Sequence, residues 1–258
     1  MEKKEKRSSK MLAMGMTLVL FALQAVLMGA KLTYAGTLLQ TLALSALFAL
    51  VYGVSMLVFD HLEKPRMGTL LFVGAFAAVA MLARVSMLDF VTADYNSFLS
   101  GWLDIFRLGG FRKLAENVGD YNLIYQYFLL LITKINLHDL YLIKLISVAF
   151  DYALALLMMR AAGQFGGERA KLPAMLLMLV LPTVLLDGAC WGQCDSVYVF
   201  FIVLSLHLLA TDRPVGSAAS PPFESFARFA RMFVSRSYPT ITRPASIIIA
   251  DTRWSIGT

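Results

Sequence analysis

Charge is scarce in this chain. Only 16% of its 258 residues are Asp, Glu, Lys or Arg, against about a quarter in an ordinary soluble domain. That excludes a fully solvated globular surface. Cysteine is scarcer still. The two present, Cys190 and Cys194 in CWGQC, are too few for a disulfide framework, and no further Cys or His cluster supports a metal centre around them. The net charge of +6 comes without a nucleic-acid-binding motif, so nucleic acid is not an expected partner, and no internal repeat is visible. The N-terminus also lacks a small-x-small cleavage site. Its charged start and apolar continuation therefore read as a retained anchor rather than a removed signal.

Apolar residues, 59% of the total, fill the chain instead, in runs near the roughly 20 residues that cross a bilayer. Met11–Ala30, Thr37–Phe59 and Met67–Leu88 are three such runs, Leu140–Met159 is another, and Tyr121–Ile135, Leu172–Leu186 and Val197–Ala210 are shorter. The expected fold is all-α: a polytopic helical membrane protein with about six to seven membrane segments. Residues 1–10, with Lys3, Lys4, Lys6, Arg7 and Lys10, form a basic N-terminus expected in the cytoplasm beside anionic lipid. Residues 11–66 hold two spans, and 67–212 form the main membrane module. Three crossings then put the large loop Asp89–Asp120, between the third and fourth segments, outside. Further along, parity conflicts. Alternation puts Arg160–Lys171 outside, whereas its cations favour the inside. A re-entrant Tyr121–Ile135 would resolve this.

That loop, DFVTADYNSFLSGWLDIFRLGGFRKLAENVGD, is the most polar stretch between spans. Asp89 and Asp94 are its candidate catalytic carboxylates. An ionised carboxylate can take a proton from an acceptor hydroxyl, or hold a divalent cation against a phosphate; solvated loop acids and helix caps fit equally well. Ser100–Phe111, SGWLDIFRLGGF, reads as an interfacial amphipathic helix. Trp102, Ile105, Phe106 and Leu108 face lipid, Asp104 and Arg107 face water, and Gly109–Gly110 end it. Gly119–Tyr127, GDYNLIYQY, brings Asp120, Tyr121, Asn122 and Tyr125, whose phenols and amide suit a hydroxyl-rich ligand such as a sugar.

Two more features carry chemistry. Lys144 and Asp151 lie seven residues apart on one helix face, about 10 Å at 1.5 Å per residue. They are too distant to pair, so each needs another partner or a wet cavity, as does Arg84. Asp187–Ser196, DGACWGQCDS, follows the helix-breaking Pro182, and Trp191, Gln193, Asp195 and Ser196 offer a stacking face, an amide and an acid.

In order, these motifs run DY-x-x-FL (Asp94–Leu99), GGF (Gly109–Phe111), DYN-x-x-Y-x-Y (Asp120–Tyr127), IKLIS and FD (Ile143–Asp151), then LPTV and WGQCDS (Leu181–Ser196). The set resembles bacterial membrane glycosyltransferases of the GT-C superfamily, the group similar to GPI mannosyltransferases, over roughly residues 67–213. The resemblance implies transfer of a sugar, mannose-like, from a polyprenyl-phosphate donor on the outer side of the membrane, with inversion at the anomeric carbon. It makes Asp94 the base, with Asp89 as alternative. Asp120 and the WGQCDS island then line the pocket, and membrane lipid and the lipid-linked donor are the partners. Ile124 stands where members often have proline. Members also continue with further spans, whereas residues 213–258 are rich in Ser, Pro, Ala and Arg. An aberrant, frameshifted or disordered tail is therefore expected, and with it an incomplete enzyme. The rival expectations are a carrier or flippase of lipid-linked sugars and a non-catalytic membrane partner.

Overall fold

The computed structural model describes residues 2–34, 36–116, 118–119, 121 and 123–210. The tail from Arg213 and two of the expected ligand-binding residues, Asp120 and Asn122, lie outside them. The chain divides into two units, 1–200 and 201–258; of the second, the description covers the end of one helix.

Among the described residues every regular element is helical and there is no strand. Helices α1 (Glu2–Lys31), α2 (Leu38–Glu63) and α3 (Met67–Val85) fall on the first three apolar runs. A capping box starts α2: Thr37 Oγ1 accepts from Gln40 N–H at 3.3 Å, and Gln40 Oε1 accepts from Thr37 N–H at 2.9 Å. Lys64, in the left-handed region at φ 45°, stops α2 just before Pro65. After α3 come α4 (Ser100–Gly109), α5 (Leu123–Ile132) and the 28-residue α6 (Asp139–Gly166). The chain continues through α7 (Glu168–Val180), α8 (Pro182–Leu185), a π-turn over Leu186–Trp191, and α9 (Asp195–Ala210).

α2 lays Phe48, Tyr52, Met56 and Phe59 along one face, against Val73, Ala77, Ala80 and Met81 of α3 and Val148, Tyr152 and Ala155 of α6. Two buried phenols find backbone partners on α3: Tyr52 donates to Gly74 O at 3.0 Å and Tyr152 to Ala77 O at 2.6 Å. The opposite faces stay apolar. Leu18, Val26, Leu39 and Val79 are all more than 60% exposed, as side chains facing hydrocarbon can be.

Four helices, from α1, α2, α3 and α6, are long and apolar enough to cross a membrane. A fifth span arises if α7 and the Pro182–Trp191 segment, bent by 45°, count as one. The two shorter apolar helices, Leu123–Ile132 and Asp195–Leu208, would have to be membrane segments as well to reach the upper expected count.

Contacts sort the connections into two ends. At one end Ser9 donates to Asp60 at 3.1 Å, and Glu63 pairs with Lys171 at 2.9 Å and Arg160 at 3.4 Å. This gathers the N-terminus, the Lys64–Arg66 turn and the Arg160–Lys171 connection. At the other end Thr33 meets Asp89, Gln40 Nε2 donates to Asn136 O at 3.2 Å, and Tyr121 meets Gln193. The residues on both sides of α5, Tyr121 and Asn136, therefore lie at this second end. With 10 residues, or about 15 Å of axial rise, α5 is entered and left at that same end. Arg160–Lys171 lies at the first end, beside Glu63.

The loop helix departs from its expected orientation at Phe106. α4 ends at Gly109, and Gly110–Ala115 continues as a 3-10 turn. Phe106 is fully buried together with Leu103, so Phe106 packs on protein rather than facing lipid. Leu108 at 90% exposure and Ile105 point outward as expected, and so does Phe111. Arg107 is anchored to Asp104 at 2.8 Å and Asp139 at 2.6 Å.

Candidate functional site

At the end away from the N-terminus, the Asp89–Asp120 loop meets the 186–194 turn. Asp94 immediately precedes a π-turn, Tyr95–Leu99, and is exposed. Gln193 Nε2 donates to Asp94 Oδ2 at 2.7 Å, and Tyr121 OH donates to Gln193 Oε1 at 3.1 Å. The phenol and the carboxylate together fix which end of the amide faces which partner. Asp94 Oδ1 makes no hydrogen bond among the described residues and remains open to an incoming donor. Burial first, then the negative charge around it, pushes the Tyr121 phenol up to about 12. It thus stays protonated, and a donor, across the physiological range.

An aromatic wall stands behind this group. Tyr121 meets Trp102 edge-on at 5.4 Å and Tyr125 edge-on at 5.1 Å, and Trp102 continues to Phe98 at 6.0 Å. Tyr125 is buried to 1% exposure, so it supports Tyr121 from behind and presents no surface to a ligand. Trp191, two residues before Gln193 in the chain, and Asp195, two after it, are exposed.

The turn carrying Gln193 is held through its backbone. Gly192 adopts φ +72°, Gln193 N–H donates to Asp187 O at 3.1 Å, and Ser147 Oγ donates to Gln193 O at 2.6 Å. Gly188 faces the Asp151 carboxylate so closely that a Cβ there would lie 2.9 Å from Oδ2.

The other candidates have structural engagements. Asp89 Oδ2 accepts from both the N–H and the hydroxyl of Thr33 at 2.8 Å, and its Oδ1 accepts from Tyr141 OH. Burial alone would raise this carboxyl, but the Tyr141 and Thr33 hydrogen bonds outweigh it and hold the group below its usual range. With both oxygens occupied, Asp89 ties the α1–α2 turn to α6. Lys144 directs its ammonium at three carbonyls, Met87 at 3.1 Å, Leu88 at 2.9 Å and Phe90 at 2.7 Å. An ammonium has three protons, and these three carbonyls, in the turn that follows α3, engage all of them.

Arg84 and Asp151 find each other. Their Nε and Oδ2 lie 3.1 Å apart with both side chains at 0% exposure. Ser196 donates to the other Asp151 oxygen, and Arg84 Nη1 donates to Leu179 O at 2.7 Å and Ala80 O at 3.2 Å. The sequence reading required a partner for each buried charge without identifying it. It also missed Thr33, Tyr141 and Ser147. Ser147 had a usable signal, since it lies three residues after Lys144 and four before Asp151, on one face of an apolar helix; Thr33 and Tyr141 had none.

Among the described residues no group of three His, Cys, Asp or Glu side chains is arranged to hold a metal ion. Cys194 is buried and Cys190 half-buried, and both are free thiols. No family model, curated protein or solved structure matches the chain.

Proposed function

We propose that this chain is a membrane glycosyltransferase, mannosyltransferase-like, that moves a sugar from a polyprenyl-phosphate donor to a hydroxyl acceptor at the end holding Asp94. The observation that carries the reading is the Asp94–Gln193 contact, which joins two polar islands 99 residues apart in an otherwise apolar chain. Asp94 is the base. Its free oxygen takes the proton from the acceptor hydroxyl, the acceptor oxygen attacks the anomeric carbon, and the bond from that carbon to the phosphate breaks to release polyprenyl phosphate. Gln193 holds the other carboxylate oxygen so that the free one points outward, and Tyr121 holds Gln193. Asp89 is the weaker candidate because its oxygens are already bonded.

In this reading the basic end is cytoplasmic, in keeping with the cations of the N-terminus, the Lys64–Arg66 turn and the Arg160–Lys171 connection. The catalytic end then faces outward. Trp191 and Asp195, both exposed, contact the sugar or its phosphate; Asp120 and Asn122, assigned the same role from the sequence, lie outside the described residues.

The test is release of polyprenyl phosphate by the purified chain in nanodiscs supplied with a lipid-linked mannose donor and an acceptor glycan. Asp94→Asn abolishes transfer and preserves donor binding. Transfer that survives Asp94→Asn refutes the assignment. A parent chain that binds donor but never transfers it favours the non-catalytic partner, and movement of donor between leaflets without transfer favours the carrier.

A further inference from the structure

The middle of α6 is apolar except for Lys144, Ser147 and Asp151, which lie at i, i+3 and i+7 along one face. Each grips a different stretch of the outer end. Lys144 gathers the carbonyls of Met87, Leu88 and Phe90, from which the chain reaches Asp94 four residues later. Ser147 donates to the carbonyl of Gln193 itself. Asp151 accepts from Ser196 and lies against Gly188, so it holds the same turn from both sides, and its second oxygen is fixed by Arg84 of α3. Both partners of the Asp94–Gln193 contact therefore hang from one helix face.

A buried ion pair is an expensive way to join two helices, because desolvation consumes most of the attraction and an apolar pair packs as well. An apolar pair could not, however, fix the Ser196 hydroxyl or the orientation of the turn next to Gly188. The geometry points to Ser147 and Asp151 as positioning residues that keep Gln193 in register with Asp94. Neither touches substrate; they act through the backbone of the turn. The inference rests on Asp94 being the working carboxylate, but the register itself is measurable without that reading.

The test uses the full chain in nanodiscs with Cys190→Ser and Cys194→Ala, spin-labelled through Asn96→Cys and Asp195→Cys. The distance distribution between the labels reports the register. Ser147→Ala and the paired change Arg84→Met with Asp151→Leu each broaden it about twofold, and Ser147→Thr, which keeps the hydroxyl, restores the parent width. In the transfer assay, with Cys190→Ser and Cys194→Ala but no labels, Ser147→Ala lowers kcat about 10- to 100-fold with little change in KM, as a small misplacement of a reacting group does. An unchanged width in both variants overturns the proposal. So does a broadened width with unaltered kcat. If the parent chain transfers no sugar, the enzymatic reading fails, and the distances still decide whether α6 sets the register.

Discussion

Replacing Arg84 alone is the sharpest test of how the helices are held. Arg84→Met leaves Asp151 at 0% exposure with only Ser196 as a partner. It also deprives Leu179 O of its 2.7 Å donor at the point where α7 bends toward Pro182. Removing one member of a buried pair costs about 3–5 kcal/mol, because the remaining charge is uncompensated. At roughly 2–4 °C per kcal/mol for a chain of this size, the melting temperature falls by about 6–20 °C. Adding Asp151→Leu removes the stranded charge. The double variant then returns to within about 2 kcal/mol of the parent, the residue being the unpaired Ser196 hydroxyl and Leu179 carbonyl. A double-mutant cycle by thermal unfolding in one detergent measures the coupling. If Arg84→Met costs less than about 1 kcal/mol, or if the two changes simply add, the pair does not hold α3 to α6 and the reasoning fails.

Gln24 of α1 is fully buried, and among the described residues neither its Oε1 nor its Nε2 has a hydrogen-bond partner. Gln24→Met should therefore raise stability by about 1–3 kcal/mol, and a lower melting temperature would show that the amide has a favourable role. The Asp89–His138 corner should weaken in acid. Burial, opposed by Asp139 and Asp89, holds His138 below its ordinary value, and its Nδ1 must be unprotonated to accept from Leu140 N–H. Asp89 is also held low, its hydrogen bonds from Tyr141 and Thr33 outweighing burial. Both groups bind protons less readily folded than unfolded. The stability due to His138 is thus complete above about pH 6.5, and that due to Asp89 above about pH 3.9; each is lost as pH falls through its lowered folded value. Melting temperature should decline between pH 7.5 and 5, and His138→Asn, which keeps a capping acceptor that does not titrate, should flatten that decline. An equally steep fall in the variant refutes the assignment.

Much of the fold was legible because its signals are one-dimensional. Runs of apolar residues mark α1, α2, α3 and α6, and Thr37, Gln40 and Pro65 punctuate them by local chemistry. The placing of α5 was less legible. Ten residues of apolar sequence look the same whichever ends of the bundle they join, and only contacts of Tyr121 and Asn136 show that both sides of α5 lie at one end. Phe106 of α4 was placed on the wrong side for a related reason. Phe106 and Leu108 are both apolar, and nothing in their spacing tells a lipid-facing side from one that packs on protein.

The site divides along the same line. Asp94, Tyr121 and Gln193 stood out because polar residues between spans need a reason to be there, and three of them do meet. Polarity alone, however, assigns no partner. Asp89 and Lys144 carried the same signal as Asp94, yet their oxygens and protons are consumed by Thr33, Tyr141 and three carbonyls. The distinction between a residue that binds a ligand and one that binds the protein is the number of donors and acceptors left over, and that remainder exists only after folding. Asp94 is exposed, and among the described residues only the Gln193 amide reaches it, leaving its other oxygen without a partner there. The same accounting shows how a buried charge such as Arg84 can bear on the Asp94–Gln193 contact without touching it. It fixes Asp151, Asp151 fixes the turn, and the turn carries Gln193.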